Sequence, residues 1–568
     1  MNKTITIFAL ASICVILSRS TSVQSQGRGG AEWTTAFGDA QHSSWVRSDP
    51  KISTASLQKA GFQSLWKMKL HNDTHELNSL TPPVLLDRLV GFRGFKSIAV
   101  VGASADTVYA IDFDLGKPLW TFVLNYSADN EVPAPTWNCP GGLMAPATRP
   151  TAVSISAAGG GGGGGRGGRT GGSVGEPGKG APNLDQVSDR GDRGRGGGGG
   201  GGGRGRGSLV MGLTDAFYAM GSDGYVHGLN VSNGADLFPP VRFIPENSRP
   251  SSLLLVQQTF NGDAAPAAML YTSTSGGCGG TPNGVWAVDL AAKEPAPVEW
   301  KTNGGNVAGP AGPTLGSNGL LFAAIGKGGG GYSDSVVALD AKTLELKDWI
   351  TVPNADFNSS PVIFPYKGRE FLAVAANDGK LYLLDGKSMG GANHSTPLFV
   401  TPKYSTSIEN NALATWETAP TSGTRWILAP FAGALPAGLK VAATGVATNG
   451  GVIAFKVAEQ DGKVILEPTW ASRNMTSPLG PLVVNNVVFA LASGEYRGAA
   501  AAPQRVQRSV PAVLYALDGA TGKELWNSGK QLTSFARSGL SAGGTNGSTI
   551  FVSTYDNTLY AFGFPLEK

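Results

Sequence analysis

The chain has 568 residues, of which 82 are glycine and 35 are proline, and its formal net charge is +4. Because glycine and proline interrupt every long segment, the composition excludes a mainly helical protein. A stretch rich in glycine and arginine at 159–207 holds +4 of the charge and the first 25 residues hold +2, which leaves about −2 on the remainder. This balance provides no basic face for nucleic acid, and we expect no nucleic-acid partner.

The first 25 residues have the pattern of a signal peptide. Lys3 supplies a positive charge, an apolar run extends from Ile5 to Leu17, and Val23-Gln24-Ser25 is a small-residue cleavage site. The run is too short for a spanning helix, and no later segment has the required length and apolarity. We therefore predict a periplasmic or secreted protein without a transmembrane segment, whose mature part, 26–568, is a single domain.

A short phrase returns eight times along the mature chain. It consists of alternating apolar and small residues, an Asp-containing turn, and a large apolar residue such as Trp. Its clearest copy runs from Leu514-Tyr515-Ala516-Leu517-Asp518 to Leu525-Trp526, and an earlier one from Val108 to Trp120. Two further strand-like runs precede each copy. Four short antiparallel strands in roughly 50 residues are typical of a β-propeller blade.

The two ends of the chain predict how the ring of blades closes. The last copy, Leu559-Tyr560-Ala561-Phe562, has no fourth strand after it, whereas the segment 64–70 around Trp66 is a strand with no blade before it. Pairing the two gives an all-β, eight-bladed β-propeller whose exposed edges are removed. A seven-bladed ring is the alternative.

The segment 159–207 is an insertion within blade 2. It contains 26 glycines and too few apolar residues to offset the entropy of ordering, so we expect a disordered loop. Its Arg-Gly-Gly triplets are also found in tails that bind single-stranded nucleic acid, which is the alternative.

Two cysteines, Cys139 and Cys278, follow the signal peptide. An even number of cysteines in an oxidising compartment favours a disulfide, and two buried, unpaired thiols are the alternative.

The phrase Tyr515-Ala516-Leu517-Asp518-Gly519-Ala520-Thr521-Gly522-Lys523-Glu524-Leu525-Trp526 resembles the repeat of the pyrroloquinoline quinone (PQQ) family of propellers, the quinoprotein alcohol dehydrogenase-like superfamily. The resemblance implies that the repeat's Trp docks neighbouring blades, and that an enzyme of this family holds PQQ in the channel beside a calcium ion and a disulfide of adjacent cysteines. This sequence has no adjacent cysteines and no Cys-x-x-Cys-His, so we expect no covalently bound haem.

Six residues before or within the first strands of blades are candidates for binding a cofactor. An aromatic plane and a guanidinium group suit a planar polycarboxylate such as PQQ. The alternative is that the tryptophans pack inside blades and the arginines pair with carboxylates. The candidates are Trp137, Arg149, Asn358, Trp416, Glu417 and Arg537.

We predict no metal ligands from the histidines. His71, His75 and Glu76 lie close together, but no helix is expected there to give the spacing of a zinc site, and a solvated loop is the simpler interpretation.

Two functions remain after this reasoning. The first is an exported, non-catalytic binding or scaffolding module, expected to be a monomer, which receives a small-molecule ligand or a protein partner at its channel face. The second is a PQQ-dependent alcohol or sugar dehydrogenase, in which PQQ with calcium would accept the hydride.

Overall fold

The computed structural model describes residues 33–91, 94–124, 136, 138–151, 215–260, 266–407, 411–419, 423–498 and 501–566. The predicted signal peptide, the insertion at 159–207 and the candidate Trp137 lie outside the described residues.

Eight mainly antiparallel sheets form eight blades, numbered here in chain order, and three of them carry one short strand that pairs in parallel. This arrangement confirms the eight-bladed propeller over the seven-bladed alternative. In seven blades the phrase found in the sequence supplies the third strand, and its closing residue, where present, lies on the fourth; in blade 2, which has three strands, the phrase supplies the second. Blades 1 to 4 comprise Val84–Gly91, Gly94–Ala103, Thr107–Asp112 and Lys117–Val123; Ala216–Met220, Tyr225–Asn230 and Val241–Arg242; Leu254–Gln258, Ala267–Thr274, Gly284–Asp289 and Val298–Lys301, with Pro150–Thr151 added; and Thr314–Leu315, Leu320–Ile325, Ser335–Asp340 and Leu346–Thr351.

The remaining blades include strands from the beginning of the described chain. Blade 7 gains the short strand Trp45–Val46, and blade 8 gains Gln63–Lys69. Blades 5 to 8 comprise Val362–Tyr366, Arg369–Ala375, Leu381–Asp385 and Phe399–Val400; Ala414–Glu417, Arg425–Ala432, Gly450–Gln460, Lys463–Ala471 and Ala442–Ala443; Leu482–Val484, Val487–Ala492, Val513–Asp518, Glu524–Asn527 and Trp45–Val46; and Ser541–Gly543, Thr549–Thr554, Thr558–Gly563 and Gln63–Lys69.

The ring closes through the pairing that the sequence predicts. Gln63–Lys69 is antiparallel to Thr558–Gly563, with Trp66 opposite Ala561 and Lys67 opposite Tyr560. The outer strand of blade 8 therefore comes from the N-terminal part of the chain, and its three other strands come from the C-terminal part. This pairing closes the ring of blades.

Tryptophans at the closing position dock one blade onto the next. The indole Nε1 of Trp470 in blade 6 donates to Gly519 O in blade 7 at 2.9 Å, Trp120 donates to Val231 O at 3.0 Å, and Trp66 donates to Phe113 O at 2.8 Å. These contacts confirm the docking role that the family resemblance implies. Trp470 also lies against Gly522, whose φ of +71° belongs to the left-handed region that glycine favours.

The segment 33–49 lies along the axis of the ring and contacts the blades one after another. Its backbone carbonyls accept hydrogen bonds from the first strands of blades 1, 4, 5, 6 and 7, and side chains add contacts with blades 3 and 8. The donors to the carbonyls are Leu85, Leu315, Ile363, Thr415 and Val483. Since these first strands surround the axis, the segment fills one end of the channel.

Within the described residues, helical structure is limited to short connections. The α-helices are Thr54–Leu57, capped by Ser53, and Ala502–Arg508, and 3₁₀ turns span Cys278–Gly280 and Gly391–Asn393. In the part of the chain that the structure describes, no helix combines the length and the apolar character needed to cross a membrane.

Candidate functional site

A cavity of about 370 Å³ lies on the axis of the propeller. Its base includes Ala36 and Phe37 of the axial segment, and its wall comes mainly from residues that immediately precede the first strands of the blades, such as Thr81, Ser252 and Gly480. The volume is within the usual range for small-molecule sites. The axial segment therefore forms the base of a cavity at the end of the channel where the inner strands begin.

Charged side chains are concentrated on one part of the wall. Arg249, Arg497 and Arg537 line the cavity together with Glu495, which is the acidic residue among the lining residues. The Glu495 carboxylate is buried and contacts three guanidinium groups: Arg497 Nε at 3.2 Å, Arg505 Nη1 at 3.1 Å and Arg537 Nε at 3.3 Å. The Glu495 carboxylate thus contacts guanidinium groups on three sides.

The pKa values of Glu495 and Arg537 follow from burial and from the neighbouring charges. Burial raises the pKa of Glu495, but Arg537, Arg497 and Arg505 outweigh burial and hold that pKa below its usual value. Burial lowers the pKa of Arg537, and the neighbouring arginines, Arg249 included, lower it further against the effect of Glu495. Glu495 is therefore a fixed anion that accepts hydrogen bonds from arginines, and it is poorly suited to take up a proton.

The disulfide between Cys139 and Cys278 lies at the rim of this cavity. It is formed in the structure, with a Cα–Cα distance of 5.5 Å, and it joins the loop before blade 2 to a loop of blade 3. The carbonyl of Asn138, next to Cys139, accepts a hydrogen bond from Arg249 Nη1 at 3.1 Å. The cross-link thus fixes a loop that positions Arg249.

The structure places the predicted cofactor-binding residues in different surroundings. Arg537 lines the cavity, and the backbone carbonyl of half-buried Asn358 accepts from the N–H of Asn411, a lining residue. Arg149 is buried over the ring of Phe217, away from the cavity wall.

The two candidates in blade 6 contact other residues of that blade. Trp416 is fully buried and stacks on Trp426 with 5.5 Å between ring centroids, and Glu417 accepts a hydrogen bond from Arg425 Nη2 at 2.8 Å. Neither belongs to the residues that line the axial cavity.

The sequence analysis missed Arg249, Glu495 and Arg497. Arg249 precedes the first strand of blade 3 as Arg537 precedes that of blade 8, so comparing equivalent positions among the repeats would have found it. Glu495 and Arg497 follow the second strand of blade 7, Val487–Ala492, where the blade phrase has no fixed counterpart.

The lining residues fit the carboxylates of PQQ but do not fit a calcium ion. Guanidinium groups are suitable partners for carboxylates. Calcium needs six to eight oxygen ligands, usually with several carboxylates, whereas the carboxylate in this wall is already held by arginines. Across the described ranges, no group of three or more His, Cys, Asp and Glu side chains is placed to hold a metal ion.

Comparisons with known proteins identify the fold. No protein-family model and no curated protein sequence matches the chain. Among solved structures, the chain is similar to the quinohemoprotein alcohol dehydrogenase of Comamonas testosteroni, with a TM-score of 0.50 and 13% identity over 95% of this chain and 81% of that chain. Quinohemoprotein alcohol dehydrogenase ADHIIG of Pseudomonas putida HK5 has a TM-score of 0.50 and 12% identity over the same shares.

A europium-containing methanol dehydrogenase is also similar, with a TM-score of 0.54 and 11% identity over 95% of this chain and 99% of that chain. At these identities, the similarities show a common eight-bladed propeller fold.

Proposed function

We propose that this protein is an exported, non-catalytic binding module that receives its ligand in the axial cavity. The observation that carries the proposal is the arrangement around Glu495, where three arginines hold the carboxylate of the cavity wall. A general base needs a pKa near the working pH and freedom to bind a proton. Glu495 has neither property, because its arginine partners lower its pKa.

The disulfide supports the exported part of the proposal. Structural disulfides persist mainly in oxidising compartments, and Cys139 and Cys278 are cross-linked here. The signal-peptide pattern of the first 25 residues agrees with that location.

A PQQ-dependent alcohol or sugar dehydrogenase is the second candidate. It is favoured by the fold shared with the solved dehydrogenases and by the arginines, which would bind the carboxylates of the quinone. When bound, PQQ supplies a two-electron acceptor. Arg249, Arg497 and Arg537 would orient it, while the metal that accompanies it in the resembling family lacks a fitting set of ligands in this wall.

Reconstitution separates the two candidates. Purified protein would be incubated with PQQ and calcium chloride, desalted, and assayed for quinone absorbance and for dye reduction with a panel of alcohols and sugars. A known PQQ-dependent dehydrogenase treated in the same way is the positive control. We expect no substrate-dependent dye reduction. Turnover with any member of the panel would refute the non-catalytic function and favour the dehydrogenase.

A further inference from the structure

Solvent reaches the disulfide from the side of Cys139. Cys139 is half-buried, whereas Cys278 is 3% exposed. Exposed glycines flank Cys278 on both sides, and a Cβ added at Gly277 or Gly280 would meet no atom within 4 Å. The space around this turn is therefore open, and an incoming thiol can approach the bond at Cys139, the less buried of the two cysteines.

The loop that carries Cys278 is anchored on both sides of the cysteine. Before it, the N–H of Ser275 donates to the backbone carbonyl of Arg249 at 3.1 Å. After it, the hydroxyl groups of Thr281 and Ser248 share a hydrogen bond of 2.7 Å. This half of the cross-link would therefore keep its place if the sulfur–sulfur bond were broken.

The turn that carries Cys139 is bonded mainly to itself. The N–H of Thr136 donates to Cys139 O and the N–H of Cys139 donates to Thr136 O, both at 3.1 Å. Among the residues that the structure describes, two bonds join this turn to blade 3. They are the disulfide and the hydrogen bond from Arg249 Nη1 to Asn138 O at 3.1 Å.

The sulfur of Cys278 and the guanidinium of Arg249 lie beside the same oxygen. Cys278 Sγ is 3.3 Å from Asn138 O, which is also the acceptor of the bond from Arg249. A neighbouring arginine stabilises a thiolate, and a stabilised thiolate leaves more readily during thiol–disulfide exchange. Attack on Cys139 would thus release Cys278 as a thiolate next to a positive charge.

The turn closed by Thr136 and Cys139 borders the axial cavity. Pro140 and Met144, which follow the turn in the chain, belong to the cavity wall, and so does Arg249. When the disulfide is broken, the hydrogen bond from Arg249 is the one of the two links that remains. The rim of the cavity between blades 2 and 3 should therefore be looser in the reduced protein.

We propose that the Cys139–Cys278 disulfide is a site of reversible thiol–disulfide exchange, at which an external dithiol reduces the bond and loosens the rim of the axial cavity. One thiolate of the dithiol attacks Cys139 Sγ, which forms a mixed disulfide and releases Cys278 as a thiolate that takes up a proton. The second thiol of the dithiol then attacks its own sulfur in the mixed disulfide and releases Cys139 as a thiol.

The step is balanced, because two electrons and two protons pass from the dithiol to the protein and the dithiol becomes a disulfide. Exchange with an oxidised dithiol reverses it. The oxidised form is the resting state in an oxidising compartment. This inference concerns the rim of the cavity and holds for either candidate function.

Trapping of the mixed disulfide identifies the sulfur that is attacked. The full-length oxidised protein would be mixed with excess glutathione in mildly alkaline buffer without denaturant, quenched early with N-ethylmaleimide, and mapped by mass spectrometry. We expect glutathione on Cys139 and N-ethylmaleimide on Cys278, with this isomer favoured by about tenfold. The same reaction in urea is the positive control. Exchange that requires urea, or glutathione mainly on Cys278, would overturn the proposal.

Variants test the role of Arg249 as a positioning residue beside the leaving sulfur. In a Cys139→Ser background, Arg249→Gln should slow alkylation of Cys278 by iodoacetamide about tenfold at neutral pH, and the difference should vanish in strong alkali, where the thiol is ionised without help. The matched control is Arg242→Gln, which removes an exposed arginine from the outer strand of blade 2. Equal rates for the two arginine variants at neutral pH would overturn this role.

Hydrogen exchange tests the loosened rim without any substitution. The wild-type protein would be reduced with dithiothreitol and compared with the oxidised protein by mass spectrometry. Amides in 138–143 should exchange about tenfold faster after reduction, while those of the strand Gly450–Gln460 in blade 6 should not change. Unchanged exchange in 138–143 would overturn the proposal. Faster exchange throughout the ring would also overturn it, since the bond would then support the whole fold.

Discussion

Substituting Gly522 by alanine tests whether the docking of tryptophan against the next blade stabilises the ring. An alanine Cβ at this position would lie 2.4 Å from Cε3 of Trp470, whereas non-bonded carbon atoms normally stay about 3.5–4.0 Å apart. Trp470 has little freedom to move away, because it is 1% exposed and its Nε1 is bonded to Gly519 O.

Two costs combine at this position. A non-glycine residue at a φ of +71° loses about 1 kcal/mol or more, and overpacking a tight contact costs about 1–3 kcal/mol. We therefore expect Gly522→Ala to lower the free energy of unfolding by about 2–4 kcal/mol.

Gly462→Ala is the matched control. Gly462 lies in a hairpin turn with a φ of +74°, and no neighbouring atom comes within 4 Å of an added Cβ. The Gly462→Ala variant should therefore lose only about 1 kcal/mol of unfolding free energy, which is the contribution of the backbone conformation. Both variants would be unfolded in urea, with midpoints and unfolding rates followed by fluorescence and circular dichroism.

A double-mutant cycle isolates the steric part. In a Trp470→Leu background, Gly522→Ala should be no more destabilising than Gly462→Ala, because the indole ring is gone. Equal losses for the two glycine variants in the native background would show that the tryptophan contact does not limit this site, and the docking argument would fail.

Three other predictions follow from the structure. Replacing both Cys139 and Cys278 by serine should lower stability by about 2–5 kcal/mol, and an unchanged melting temperature under non-reducing conditions would contradict this. Trp66→Ala should lower the free energy of unfolding by about 3 kcal/mol, measured in urea, because it removes the ring-closing indole contact; a loss below about 0.5 kcal/mol would argue against it. Burial lowers the pKa of His42 from 6.5 to about 3, so the unfolded chain binds one more proton than the folded chain between these two pH values. The free energy of unfolding should therefore fall by up to about 1.4 kcal/mol per pH unit as the pH drops through this range. His42→Gln should remove this part of the pH dependence, and identical urea-unfolding profiles for variant and wild type between pH 6.5 and 4 would contradict it.

The repeat made the fold predictable, because the same alternation of apolar and small residues and the same turn recur in every blade. Each copy therefore predicts the same local structure. The pairing of the strand around Trp66 with the stretch around Tyr560 was also predictable. The last copy of the repeat had no fourth strand after it, and the strand around Trp66 had no blade before it. The axial course of residues 33–49 was not predicted, because its contacts are backbone hydrogen bonds that depend little on side-chain identity.

The site was harder to predict because of propeller geometry. Side chains on a strand alternate between the two faces of its sheet, and in a propeller these faces contact the neighbouring blades. Trp416, on an inner strand, therefore packs in a cluster that also contains Val483 and Val488 of blade 7. The cavity instead takes its side chains from the flanking loops, where Arg249, Glu495 and Arg537 arrive from three different blades.

The axial segment also constrains the order in which the molecule can be assembled. Ser44 bonds to Val483 and Trp45 lies beside the same residue, so these early residues find their partners only after more than 400 further residues have been synthesised. Contacts between such distant parts of a chain form slowly. The start of the axial segment can therefore pair early, through Trp33 and Leu85, whereas Ser44 and Trp45 reach their partners only when blade 7 has formed, so the base of the cavity is completed late in folding.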